Sequence, residues 1–206
     1  SGESAANYPE VFQEQVISRF DLTFGYHRGF FDLHAPSLGD IGVMADLERF
    51  KQVDPVINFS SALAAMIISN SAAPNHRSKY IEEMMSLTQV DSFGHYQRNR
   101  EIPESILKDY PTNSFSDRRA IKARVFQNYP FALAFENSNC YDYVTEKIFD
   151  VFAAGAIPIY MGAPNVDQYV PPHSYIDARW FDTPTELVRY MKYVAKSPSR
   201  LMEYHK

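Results

Sequence analysis

A chain of 206 residues with 45% hydrophobic and 22% charged positions has the profile of a packed globular protein, which excludes a disordered tail, a collagen-like repeat or a membrane bundle. Lys and Arg number 20 against 25 Asp and Glu, a formal charge of −5, so no net positive field is offered to nucleic acid or an anionic membrane. Any phosphate would have to be held by a few local cations. The one cysteine, Cys140, excludes an intramolecular disulfide and a structural zinc cluster.

Residues 9–17 have helical spacing, and Phe20–Tyr26 alternates like a strand. Gly29–Gly39, with its Gly, Pro and aromatics, reads as loop. From Val56 the rhythm changes. Ala62–Ser69 is a short apolar run of strand length, far short of the roughly 20 residues of a membrane span. The spacing then predicts a helix over His76–Leu87, a short strand over Val90–Gly94 and a polar excursion over Gln97–Ser116. A helix over Arg118–Tyr129, a buried strand over Phe131–Phe135 and a helix over Tyr143–Ala154 follow. Strands over Ala156–Met161 and Ser174–Asp177 precede a last amphipathic helix, Pro184–Lys196. Apolar strands alternating with helices predict an α/β fold with a parallel sheet covered on both faces. Ligands of such sheets bind beyond the carboxyl ends of the strands, here the loops after Ile68, Phe135 and Met161.

The densest polar cluster is Phe135-Glu-Asn-Ser-Asn-Cys-Tyr-Asp-Tyr-Val-Thr-Glu-Lys147. Asp142 is the expected N-cap of the helix that follows, with Tyr143, Glu146, Lys147 and Asp150 on one face. A helix N-terminus reinforced by Lys147 suits an anion, although a solvated first turn has the same spacing. Arg77, in the first turn of its own helix on the same rim, could grip a diphosphate bidentately or simply face water. Gly-x-Gly-x-x-Gly, a Walker loop, His-Glu-x-x-His and Asp-x-Asp are all absent, and the six His lack ligand spacing, so a metal site is not expected.

Phe135-Glu-Asn-Ser, Asp142-Tyr-Val-Thr-Glu-Lys147, Gly155-Ala-Ile-Pro-Ile-Tyr-Met-Gly-Ala-Pro164 and Pro171-Pro-His-Ser-Tyr-Ile-Asp177 together resemble the signature of the α1,3/α1,4-fucosyltransferases, glycosyltransferase family 10. Ile68-Ser-Asn70, Arg77-Ser-Lys-Tyr80, Val90-Asp-Ser-Phe-Gly94, Glu3-Ser-Ala-Ala-Asn-Tyr8 and Phe20–Tyr26 resemble that family's earlier blocks, in order. The chain departs from the family at Ala5, where Pro is usual, and at Tyr26-His-Arg-Gly-Phe-Phe-Asp32.

The resemblance implies a GT-B-type fold of two Rossmann-like domains, with residues 1–55 a remnant of the acceptor side and residues 56–206 the Rossmann-like GDP-fucose-binding domain. It implies inverting transfer of L-fucose from GDP-fucose in α1,3 linkage to an N-acetylglucosamine or glucose residue of an oligosaccharide or glycoprotein. Two alternatives stay open: a protein hydroxyl as acceptor, or a nucleotide-binding fragment without transfer activity. By the same resemblance Arg77, Lys147 and Tyr143 hold the diphosphate, Ser69 and Asn70 line the nucleotide pocket, and Asn137 sits near fucose and phosphate. Glu146 takes sugar hydroxyls or faces developing positive charge, and Glu3 is the general base. No cofactor is required, with Mn or Mg at most a stimulant. The chain, which lacks a starting Met, is expected to be a piece of a longer protein, with a membrane anchor only in the preceding region. The implied location is the Golgi lumen, as a type II membrane protein, or else the bacterial cytoplasm; Asn58-Phe-Ser60 is one glycosylation sequon.

Overall fold

A strand that is apolar on both sides needs cover on both sides, and Phe131-Ala-Leu-Ala-Phe135 is such a strand. The computed structural model describes residues 6, 8–20, 22–27, 30–31, 33–34 and 60–205. Its first two strands, β1 (Phe24–Gly25) and β2 (Leu33–His34), form a small parallel pair. The other five, β3 (Ala64–Met66), β4 (Val90–Ser92), β5 (Phe131–Phe135), β6 (Ile157–Met161) and β7 (Ile176–Asp177), form one parallel sheet in the order β4-β3-β5-β6-β7. The helices are α1 (Glu14–Ile17), α2 (Arg77–Leu87), α3 (Glu104–Asp109), α4 (Phe115–Phe126), α5 (Glu146–Ala153), α6 (Pro184–Ala195) and α7 (Pro198–Met202).

The alternation of large and small residues in β5 sorts the two faces. Phe131, Leu133 and Phe135 join Ile157 and Ile159 of β6 in one core with Ile81 and Met84 of α2 and Leu187 and Met191 of α6. Ala132 and Ala134 belong to the other core, where their small side chains admit Phe126 of α4, Ile148 and Phe149 of α5, and Tyr160. The product is a three-layer α/β/α sandwich, as the strand and helix rhythm requires.

Caps decide where the helices start. α4 begins at Phe115, three residues before the expected Arg118, because the Ser114 hydroxyl accepts the Asp117 amide at 3.1 Å. Thr183 does the same for α6, with Pro184 in its first turn. The single helix expected over residues 9–17 divides at Gln13, whose backbone is extended (φ −84, ψ 131), into a 3-10 turn, Pro9–Phe12, and α1. The strand expected over Phe20–Tyr26 shrinks to the two residues of β1. α3 lies inside the expected loop excursion, and α7 follows the last expected helix. Glu3, Asn58, the 55/56 domain boundary and most of the Gly29–Gly39 loop lie outside the described residues.

The strand order positions the site. From β3 the chain moves outward to β4, then returns across β3 to build β5, β6 and β7 on the other side. This is the doubly wound order 2-1-3-4-5, and its switch point lies between β3 and β5. α2 after β3 and α5 after β5 sit on opposite faces, the arrangement that in doubly wound sheets makes the switch point a ligand crevice. The rim also requires Gly94 after β4, since a Cβ there would run into the main chain of Ile68. Gly94→Ala is therefore expected to destabilise the chain by about 1–3 kcal/mol in urea unfolding. Leu107→Ala, on the exposed side of α3, should change stability by less than about 0.5 kcal/mol.

Candidate functional site

The switch point is bridged by one guanidinium. Arg77 opens α2 after His76, whose φ of 57° turns the chain sharply into the helix. Its side chain is only 2% exposed and points back under the rim. Nη1 donates to the Phe135 carbonyl at 2.5 Å and Nη2 to the Asn70 carbonyl at 3.0 Å, so a single planar group fastens the end of β5 to the loop after β3. Among the described residues, Nε is buried without a partner. Asn75 repeats the bridge from the side, its amide donating to the Glu136 carbonyl and the Asn139 side chain, both at 2.9 Å.

Beside it lies a carboxylate that the sequence reading left unassigned. Glu136 follows β5 directly, its amide still bonded to the Met161 carbonyl at 2.7 Å, which carries its side chain into the interior with no exposed surface. Oε1 accepts the Thr145 amide at 2.7 Å, both oxygens accept the Thr145 hydroxyl, and Oε2 accepts Lys147 Nζ at 2.9 Å. Lys147 also donates to the Thr145 hydroxyl at 2.7 Å. From there opposite charges alternate down α5. Glu146 lies 3.9 Å from Lys147 and 3.6 Å from Lys122 of α4, Lys122 meets Asp150 at 2.8 Å, and Arg119 closes on Asp150 at 2.7 Å.

This arrangement corrects the expected helix start. α5 begins at Glu146 with Thr145 as its N-cap, not at Tyr143 behind Asp142. Asp142 has φ 63°, and its buried carboxylate accepts the Asn165 amide and the Tyr169 hydroxyl, each at 2.7 Å, so it ties its loop to the one after β6 and cannot cap a helix. Tyr143 therefore precedes the helix, off the face shared by Glu146, Lys147 and Asp150. It is buried, its ring packed edge-on against Tyr26 at 5.3 Å.

The charges respond to their surroundings. Burial pulls the Arg77 pKa down, against the pull of Glu136 and Tyr143. Burial also works against the Lys147 charge, but Glu136 and then Glu146 outweigh it and raise the pKa above the ordinary lysine value, Arg77 opposing. For Glu146 burial is outweighed by Lys147 and Lys122, which hold its carboxyl below the usual range. Asp150 is raised by burial in spite of Lys122 and Arg119.

Of the residues singled out in the sequence, Arg77, Glu146 and Lys147 gather around Glu136. Asn137, the next residue, is half-buried. Ser69 and Asn70 are exposed on the loop after β3, Ser69 Oγ 3.2 Å from His95 Nδ1 and Asn70 Oδ1 accepting the Ala72 amide. Glu136 had one visible signal, a carboxylate abutting a wholly apolar strand; Lys122 and Arg119 had none, since a helix of mixed charge reads as solvated. A cavity of about 510 Å³ lined by Tyr175, Trp180, Tyr190 and Tyr204 opens at the β7 edge, away from the switch point.

A family model described as glycosyltransferase family 10 (fucosyltransferase) C-term matches residues 58–206. GDP-fucose protein O-fucosyltransferase 3 of Xenopus tropicalis is 31% identical over 206 residues, 98% of this chain and 43% of that protein. The Homo sapiens protein of the same name is 30% identical over 205 residues, 98% of this chain and 42% of that one. The chain thus spans less than half the length of these relatives. An α1,3-fucosyltransferase crystallised with GDP-fucose superposes with a TM-score of 0.57 at 24% identity, covering 84% of this chain and 45% of that one. Another α1,3-fucosyltransferase structure gives 0.67 at 20% identity, covering 100% and 62%. These likenesses identify the sandwich as a Rossmann-like unit of a GT-B-type fold.

Removing the Arg77 side chain strands two carbonyls at the switch point. Arg77→Ala should cost about 1.5–3 kcal/mol or more in chemical denaturation, the worth of a hydrogen bond to a charged group. Arg77→Lys should recover little of it, because a point charge cannot span both carbonyls.

Proposed function

The chain belongs to glycosyltransferase family 10, the fucosyltransferases, and from that premise we propose that it binds GDP-fucose at the β3/β5 crevice and that the whole protein transfers the fucose to a hydroxyl of a protein. The observation that carries the donor reading is Lys147. Its ammonium stands at the start of α5, at the switch point of a doubly wound sheet, with one N–H uncommitted. A helix N-terminus and a lysine together suit a diphosphate.

The chemistry follows from inversion. The acceptor oxygen forms its bond to the anomeric carbon from the face opposite GDP, the bond to the phosphate oxygen breaks, and GDP leaves with the electron pair. Negative charge grows on that phosphate, and Lys147 and the α5 amides are fixed donors that hold it better in the transition state than in the ground state. Arg77 adds positive charge from beneath, Tyr143 belongs with them at the diphosphate, and Ser69 and Asn70 form the nucleotide side. Asn137 and Glu146 belong on the sugar side, where Glu146, kept ionised by Lys147 and Lys122, faces the positive charge developing on the fucose ring. The acceptor's proton goes to a carboxylate on the acceptor side, for which we propose Glu3.

For the acceptor, of the two expectations, N-acetylglucosamine in α1,3 linkage and a protein hydroxyl, the second is the one supported by the relatives at 30–31% identity, named as protein O-fucosyltransferases. The structures at 20–24% identity carry the fold alone.

Calorimetry tests the donor reading. GDP should bind this chain, with EDTA present and in preference to UDP, since no Asp-x-Asp pair exists to hold a metal. Lys147→Met should weaken GDP by about 1.5–3 kcal/mol and leave guanosine unchanged. Equal affinity for UDP, or loss of binding in EDTA, overturns it. In the full-length protein, fucose should appear on Ser or Thr of a protein acceptor and be released by β-elimination; transfer to N-acetylglucosamine alone overturns the acceptor assignment. There Glu3→Gln should keep GDP affinity while turnover drops by roughly 10²–10⁴-fold.

A further inference from the structure

We propose that Glu136 is the positioning residue for Lys147: its carboxylate, sealed beneath the rim, keeps the ammonium charged and fixes its direction, so that a single N–H is presented to a phosphate oxygen. The inference rests on the diphosphate reading above and names the group that makes Lys147 fit for it.

An ammonium has three donors. Two are committed inward, to Glu136 Oε2 at 2.9 Å and Thr145 Oγ1 at 2.7 Å. Glu146, at 3.9 Å, is beyond hydrogen-bond reach, so among the described residues the third donor is uncommitted, on a side chain that remains 22% exposed. The Thr145 hydroxyl cannot turn away, because it is itself held by both oxygens of Glu136. One buried carboxylate therefore sets the direction of Lys147 directly and through Thr145.

It also sets the charge. The ionisable groups around Lys147 are Glu136 at the end of β5, Glu146 on α5, Lys122 on α4, Arg77 on α2 and Tyr160 on β6, the last coupled to Glu136. Glu146 is shared with Lys122, and Arg77 repels. Without Glu136, a largely buried ammonium would face two cations with half a counter-charge, and burial would drive it towards the neutral form.

The test uses this chain with ¹³C-labelled lysine, following the Lys147 ε-carbon through pH and measuring GDP affinity in parallel. In the parent chain Lys147 should stay charged through the ordinary lysine range, because Glu136 and Glu146 raise its pKa. In Glu136→Gln its midpoint should fall below the parent's, and the variant-to-parent ratio of GDP Kd should rise at least about threefold between pH 7 and pH 9.5. In a Lys147→Met background Glu136→Gln should produce no such rise. An unchanged midpoint in a folded variant overturns the proposal, as does a pH-dependent rise that persists without Lys147. A Lys147→Met chain that binds GDP as tightly as the parent overturns the diphosphate reading instead, and the ε-carbon titration still decides whether Glu136 governs Lys147. Should Glu136→Gln fail to fold, Gly162→Ala crowds the carboxylate without removing it, its added Cβ running into the Tyr160 hydroxyl and lying 2.6 Å from Glu136 Cγ. It should lower the midpoint in the same direction; no change overturns the proposal.

Discussion

A carboxylate with no exposed surface must find its partners inside the protein, and Glu136 dictates much of what surrounds it. An unpaired charge there would be strongly destabilising, so the amide and hydroxyl of Thr145 and the ammonium of Lys147 are drawn to one point. That point fixes where α5 can begin, because Thr145 takes an extended conformation (φ −112, ψ −174) to deliver its amide and so becomes the cap. It also limits the loop after β6, where Gly162 alone leaves room beside the Glu136 side chain and the Tyr160 hydroxyl. β5, α5 and β6 meet at one group, and their relative positions are not independent.

The two cations of the crevice differ in what they leave free. Arg77 spends its fork on two main-chain carbonyls, which suits a planar group with donors in fixed directions. Its strength is lent to the scaffold, and its charge reaches the crevice as a field. Lys147 is the reverse, a point charge held from behind with a donor to spare.

How far this was legible in the sequence depended on whether a residue's partner was near it in the chain. Phe131-Ala-Leu-Ala-Phe135 announces a strand covered on both sides because its own composition demands it, and the large-small alternation even sorts the two cores. The start of α5 was not legible. Tyr143, Glu146, Lys147 and Asp150 continue a 3.6-residue period, and only Asn165 and Tyr169, more than twenty residues on, reveal why Asp142 turns through φ 63° instead of capping. Glu136 went unassigned for the same reason, since its partners lie nine and eleven residues away across a loop. Lys122 and Arg119 look like solvated helix charges until Glu146 and Asp150 are brought against them. The resemblance to a family supplied the roles of Arg77 and Lys147, and the geometry separated those roles.

Transfer with inversion needs donors that wait for charge that has not yet formed, and such donors are useful in proportion to how little they move when it forms. A lysine on a flexible four-carbon stem is poorly suited to this by itself. Here the stem ends between Glu136 and Thr145, and the neighbouring carboxylate Glu146 is held through Lys122 to Asp150 and Arg119. Each member of the chain is partly satisfied by the one behind it, so, on the donor reading proposed above, the reorganisation that a mobile ammonium would undergo at the moment of bond breaking is completed when the protein folds. The cost is a row of buried charges that add little to stability. What they provide is direction, at the one place in the sheet where the strand order leaves an opening.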